Sequence, residues 1–234
     1  MKKSNFIVFL FIIVTIVLLY VTSLFERYAL QAGAKILWPR RLDHFSVVVA
    51  QPGSKVVLRT QWPETHYPTF SYWVKEGETF KNPTFGTSFG VRNDTLFIFA
   101  SSREKEHIGD CFDCIGIKSI VGTEKSEIQL EYFQADTLKI KLRNAKLSGG
   151  FDPSKNKSIL LTVDADSSRI DFSKPYPLYF DQIKVRLNRS QLIFSVPRKS
   201  SSILSGTLEN NSGLYITGQP KVKVEKDATS YSTL

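Results

Sequence analysis

From Leu138 to the end of the chain, apolar side chains fall on every second residue, break at a short polar corner with a small residue, and resume. The first copy runs Leu138, Ile140, Leu142, then Ala145 and Leu147. The second carries Leu161, Val163, Ala165, then Ser168, Ile170 and Phe172, and the third Ile183, Val185, Leu187, then Ser190, Leu192 and Phe194. A fourth, looser copy has Leu204, Gly206, Leu208, then Leu214 and Ile216, with one extra residue in its corner Asn210-Asn211-Ser212-Gly213. A fifth has Val222, Val224, Thr229, Tyr231 and Thr233. Copies start roughly 18–23 residues apart, the period range of solenoids and arrays.

Period-two alternation turns one face of a strand inward and the other outward. The polar pairs Arg143-Asn144, Asp166-Ser167 and Asn188-Arg189 supply turn chemistry, because Asn and Asp tolerate positive φ and bond their own backbone. Each copy therefore reads as strand, corner, strand, a unit that needs stacked neighbours to complete a core. Val47, Val49, Ser54, Val56, Leu58 and Val121, Ser126, Ile128, Leu130 echo the pattern upstream. Gln61 to Thr95 departs from it, with Trp62, Tyr67, Phe70, Tyr72, Trp73, Phe80, Phe85 and Phe89, and reads as an elaborated coil or an insertion. The expected fold is all-β, a parallel β-helix-like solenoid preceded by a single N-terminal transmembrane helix. A β-jelly roll or sandwich, with strands every ~8–12 residues, shows the same alternation and is the alternative.

The transmembrane expectation rests on Phe6 to Leu24, FIVFLFIIVTIVLLYVTSL, in which Thr15, Thr22 and Ser23 are the strongly polar side chains. Roughly 19 residues at 1.5 Å each approach the ~30 Å hydrocarbon core, and a backbone in lipid must bond to itself as a helix. Lys2 and Lys3 precede it and suit a cytoplasmic N-terminus, while Arg27, Lys35, Arg40 and Arg41 on the far side pull the other way. A cleaved signal peptide is the rival, but the nearest A-x-A-like triplet, Ala32-Gly33-Ala34, lies well past the apolar run. The division is then residues 1–24 for tail and anchor, 25–43 for a juxtamembrane linker and 44–234 for the solenoid. A composition 42% hydrophobic and 12% aromatic over the whole chain is too apolar for disorder, and the chain is expected to fold.

The segments TLKIKLRNAKLSG, ILLTVDADSSRIDF, IKVRLNRSQLIFS, HFSVVVAQPGSKVVL and CIGIKSIVGTEKSEIQL resemble the putative auto-transporter adhesin, head GIN domain family of Bacteroidetes-type bacteria. The resemblance runs from about residue 44 to the end and is carried by degenerate alternations. It implies a parallel β-helix-like domain exported beyond the inner membrane. The chain departs from the family pattern in having few corner glycines and an anchor helix in place of a lipoprotein or cleaved signal. The expected location is a bacterial inner membrane, single-pass, with the domain on the periplasmic side.

Thirty-one Lys and Arg against 22 Asp and Glu give a formal charge of +9, a balance that favours polyanions. Outward positions carry Lys139, Lys141 and Arg143 in one copy, Lys184 and Arg186 in another, and Lys221 and Lys223 in the last. Stacked, they form a cationic ribbon suited to anionic glycan, lipopolysaccharide or lipid headgroups; the competing role is a charged face that keeps sheets from pairing edge to edge. No nucleic-acid partner is expected. Cys111 and Cys114 form C-x-x-C, compatible with a small disulfide or a thiol pair. A redox role would want a helix start, and zinc would need His107 with Asp110 or Asp113 as further ligands. His44, His66 and His107 stand apart from any nucleophile, Gly149-Gly150 reads as a turn, and Asp164, Asp166 and Asp171 make a weak candidate for carboxylate chemistry. No catalytic residue, cofactor or metal is expected. The function so read is an envelope binding or scaffold module; the alternative is a lipid or lipopolysaccharide transport component with a jelly-roll groove.

Overall fold

Each repeat forms two strands, one on either side of its corner, and each strand pairs in parallel with its counterpart in the next copy. The computed structural model describes residues 15, 36–60, 67–74, 88–100, 111–151, 159–173, 180–196, 203–218, 220–227, 229 and 231–233. The early strands are β1 (Ile36–Arg41), β2 (Val47–Ala50), β3 (Lys55–Arg59), β4 (Thr69–Val74), β5 (Ser88–Arg92), β6 (Thr95–Phe99) and β7 (Cys111–Asp113). Then come β8 (Ser119–Gly122), β9 (Glu127–Phe133), β10 (Thr137–Arg143), β11 (Lys146–Phe151), β12 (Leu160–Asp166) and β13 (Arg169–Phe172). The last are β14 (Gln182–Asn188), β15 (Gln191–Ser195), β16 (Ile203–Glu209), β17 (Gly213–Thr217), β18 (Lys221–Lys226) and β19 (Tyr231–Thr233).

Among the described residues these strands make a nine-stranded sheet, β18-β16-β14-β12-β10-β8-β2-β6-β5, and a ten-stranded one, β1-β4-β7-β3-β9-β11-β13-β15-β17-β19. The chain divides into two units, Met1–Trp38 with Tyr72–Thr84, and Pro39–Ser71 with Phe85–Leu234. The second holds the solenoid. Of the first, the described residues are Thr15 and the parts of β1 and β4 that fall within it. The expected anchor lies outside the described residues but for Thr15, and among the described residues no helix is long and apolar enough to cross a membrane. Ile36–Arg41, inside the segment read as linker, is a strand.

The register puts Leu138, Leu161, Ile183, Leu204 and Val222 in one column and Leu142, Ala165, Leu187 and Leu208 in another. Every member of both but Val222 is buried, to 1% exposure or less. Opposite them run Val56, Ile128, Leu147, Ile170, Leu192 and Leu214, also buried. Removing such an aliphatic side chain from water contributes about 1.5–3 kcal/mol, so in-register stacking is the main stabilising term. Parallel pairing along the repeat array is incompatible with a jelly roll or an antiparallel sandwich, and the solenoid is the fold.

The corners have a common construction. The residue just before each buried small residue is left-handed: Gly53, Lys125, Asn144, Ser167, Arg189 and Asn211, with φ between 49° and 72°. The small residues then form a ladder through the interior corner. The Ala145 amide donates to Ser168 Oγ (3.1 Å), the Ser168 amide to Ser190 Oγ (3.0 Å), and the Ser190 amide to Ser212 Oγ (3.3 Å). A left-handed Lys costs about 1–2 kcal/mol, whereas Gly there loses about 0.4–1 kcal/mol through the unfolded chain. Lys125→Gly, at φ 60°, is thus expected to raise stability by about 0.5–1 kcal/mol, read as a higher urea midpoint; a lower midpoint would show that the Lys side chain contributes packing.

Three expectations are corrected. In β2 and β8 the inward residues are Val48, Ala50, Ile120 and Gly122, one step out of phase with Val47, Val49 and Val121, which are half-buried. With β-branched residues on both faces, alternation sets no phase there; the corner does. Ser54 and Ser126 close four-residue corners like that of the fourth copy, and counting four back reaches Ala50 and Gly122. In the fifth copy Ser232, and neither Tyr231 nor Thr233, aligns with Leu214. Gly149 and Gly150 lie within β11, where the register shifts between Gly149 and Phe151, so they make a bulge and not a turn.

The aromatic stretch is an insertion in the stacking order. After β3 the chain builds β4 to β7 on one side of the β2–β3 coil, and β8 then pairs on the other side. β4 runs antiparallel to β7, and β5 to β6 across a hairpin at Asn93-Asp94, both left-handed. Phe70, Phe89 and Phe112 pack with centroids 4.5–5.2 Å apart.

Candidate anion-binding face

The outer face of the nine-stranded sheet carries the sequence-predicted cations, and the register sorts them into columns. Lys139, Lys184 and Lys223 share one column with Ser119, Thr162 and Ser205, in the order Ser119, Lys139, Thr162, Lys184, Ser205, Lys223. Lysine and hydroxyl alternate strand by strand. At about 4.8 Å per strand, successive ammonium groups are rooted about 9.6 Å apart. Among the described residues no acidic side chain lies within ion-pair distance of these three lysines.

Lys141 and Arg186 fall in the neighbouring column with Asp164 between them. Arg143, at the next outward position, turns back to donate to Asp164 from both terminal guanidinium nitrogens (2.9 and 3.3 Å). Lys221 belongs to a third column, Thr137, Leu160, Gln182, Ile203, Lys221. The seven cations therefore do not make one continuous ribbon. In one column lysines alternate with hydroxyls and every charge is positive, one is interleaved with acid, and one is mostly uncharged.

Sequence reasoning overlooked Leu160, Thr162, Ile203 and Ser205. The signal was present: aligning the copies on Leu138, Leu161, Ile183, Leu204 and Val222 places these four beside the lysines and Asp164 between Lys141 and Arg186.

Cations of the ten-stranded sheet are more fully matched. On the ten-stranded sheet Glu127 lies between Lys55 (3.4 Å) and Lys146 (3.6 Å), and Arg169 meets Asp171 at 3.4 Å. At the corner Arg189 meets Asp166 at 3.0 Å. Partial burial works against ionisation of Asp166, yet hydrogen bonds from Arg189 and Ser167 hold its carboxyl below the ordinary value. The lysine column runs at its Ser119 end into a shallow depression of about 740 Å³ lined by Ser46, Gly116, Ile117, Thr137 and Lys139.

The cysteines lie away from this face. Cys111 is in β7 and Cys114 just beyond it, both buried, and neither forms a disulfide. Three residues of extended chain separate their Cα atoms by about 10 Å, too far to bridge. Burial, with Cys111 and Asp113 nearby, pushes the Cys114 thiol well above its ordinary value, which leaves it a poor nucleophile. Asp113 is held instead by Arg59 and by the Thr69 hydroxyl (2.8 Å). Among the described residues no group of three or more His, Cys, Asp or Glu is placed to hold a metal ion. His107, Asp110 and His66 lie outside the described residues, and His44 is exposed with Nδ1 3.3 Å from Asp94.

No family model and no curated protein matches the chain. Solved structures do. One described as a putative adhesin from Bacteroides fragilis is similar at 8% identity with a TM-score of 0.48, over 85% of this chain and 95% of its own. A putative lipid binding protein from Parabacteroides distasonis follows at 8% identity and 0.39, over 85% and 95%. A putative adhesin from the same species follows at 8% and 0.38, over 86% and 98%.

Proposed function

We propose that this chain is a cell-envelope binding or scaffold module that uses the outer face of its nine-stranded sheet to hold anionic glycan or lipid headgroups. The observation that carries the proposal is the column Lys139, Lys184, Lys223, in register at every second strand and without an ion pair to a described acid, whereas Lys55, Arg59, Lys146 and Arg169 of the ten-stranded sheet each meet a carboxylate. Such a column adds many weak contacts at fixed spacing and needs no pocket. In the same proposal the chain belongs with the head GIN domain family, on the alternations quoted above. Phe6 to Leu24 is its inner-membrane anchor, the solenoid faces the periplasm, and the module acts without catalysis.

The test is binding of purified solenoid to lipopolysaccharide and to anionic polysaccharide over a range of salt. Near an anionic surface each Lys or Arg contributes about 1 kcal/mol, so Lys139→Ser, Lys184→Ser and Lys223→Ser combined are expected to weaken binding about ten- to a hundredfold. Lys55→Ser with Lys146→Ser, on the opposite sheet, is expected to change it less than twofold. Equal loss in both variants would mean that net charge, and not this face, does the binding. Protease accessibility in intact and opened cells checks the compartment: cleavage is expected only once the outer membrane is breached.

A further inference from the structure

The face alternates in two columns at once. β10, β14 and β18 present Thr137 with Lys139, Gln182 with Lys184, and Lys221 with Lys223. The strands between them, β12 and β16, present Leu160 with Thr162 and Ile203 with Ser205. Leu160 is 48% exposed and Ile203 39%, and both stand among the large apolar side chains left open to water. Cationic strands and aliphatic-hydroxyl strands thus take turns across five successive strands. A face that served only to repel other sheets has no need of this order, since charge on every strand does that better.

A ligand that matches it must repeat over two strand spacings, about 9.6 Å. It must carry one negative charge per repeat, and between charges it must offer a unit with an apolar side and hydrogen-bonding groups. We infer that the ligand is a linear glycan with an acidic sugar at every second position, laid along the solenoid axis with one sugar per strand. Acidic sugars sit over Lys139, Lys184 and Lys223; neutral sugars rest a ring face on Leu160 and Ile203 while Thr162 and Ser205 hydrogen-bond their hydroxyls. Lys141 and Arg186 add little, because Asp164 stands between them and is already bound by Arg143. This deepens the proposed anion-binding role and rests on it.

The experiment compares two length-matched polymers at one salt concentration: alternating glucuronate and N-acetylhexosamine, and polygalacturonate, which is charged on every sugar. The full solenoid is expected to bind the alternating polymer at least tenfold tighter, with affinity rising up to five or six sugars and then levelling. Thr162→Lys with Ser205→Lys makes the column uniformly cationic and is expected to reverse that preference. Leu160→Asn with Ile203→Asn is expected to weaken the alternating polymer at least threefold and leave the uniform one unchanged. Equal affinity for both polymers, or a preference for polygalacturonate, overturns the alternation while the anion-binding role stands. Binding of neither polymer, nor of lipopolysaccharide, overturns both.

Discussion

Gly206→Ala is expected to unfold the last coils or the whole domain. Gly206 lies in β16 at φ 141°, and a Cβ built there would sit 1.8 Å from the Val185 carbonyl oxygen of the neighbouring strand. The obstacle is backbone held in the parallel ladder, so no rotamer relieves it. Strain at such a conformation costs about 1–3 kcal/mol and forcing the strands apart about 1–3 more, or roughly 2–6 kcal/mol together against a total of about 5–15. Gly149, at φ 119° with the Leu130 carbonyl oxygen 2.0 Å from where a Cβ would stand, is expected to behave alike. Gly122 is milder, because its nearest obstacle is the flexible Leu142 Cδ2 at 2.8 Å. Gly90, with nothing within 4 Å, is the control and should shift the urea midpoint little. If Gly206→Ala unfolded at the same midpoint as Gly90→Ala, the close approach of β14 and β16 would be wrong.

These glycines mark the border of what the sequence made legible. Alternation located Leu204, Gly206 and Leu208 as one inward set, and the register confirms all three columns. It could not show that Gly206 is required by a neighbouring carbonyl, because the contact is 21 residues away along the chain. The corners show the same division. Ser168 and Ser190 stood out as small residues in a repeating place, yet the ladder that joins them runs between coils and becomes visible only once the coils are stacked. Where β-branched residues occupy both faces, as in Val47-Val48-Val49, pattern alone placed the wrong face inside.

The candidate face was legible by residue type and not by arrangement. Outward lysines are a local property of alternation, so Lys139, Lys184 and Lys223 were found without coordinates. Their separation from Lys141 and Arg186 depends on which residues stand beside them, and Asp164 enters from a strand one coil away. The same dependence decides the cysteines. C-x-x-C left a small disulfide and a thiol pair both open, and parallel pairing of β7 with β3 sets the two thiols in buried positions and commits Asp113 to Arg59.

That commitment leads to the second large effect. The Arg59 and Asp113 side chains are only 19% and 11% exposed, and Asp113 also accepts from Thr69 on β4, so one carboxylate ties β7 to both its neighbours. Asp113→Leu leaves the Arg59 guanidinium enclosed without its partner, at a cost of about 3–5 kcal/mol. Arg59→Met with Asp113→Leu removes both charges and is expected to recover most of that loss, because an apolar pair of similar volume meets no desolvation penalty. A double-mutant cycle on urea midpoints measures the difference, and a coupling energy of about 2 kcal/mol or more is expected. Coils of a solenoid are stabilised mainly by their immediate neighbours, so the single variant should speed amide exchange in β4 and β7 and leave β10 to β15 protected. A loss below about 1 kcal/mol, the range of an exposed pair, would mean that water reaches Arg59 and that β4 and β7 are held mainly by apolar packing such as that of Phe70, Phe89 and Phe112.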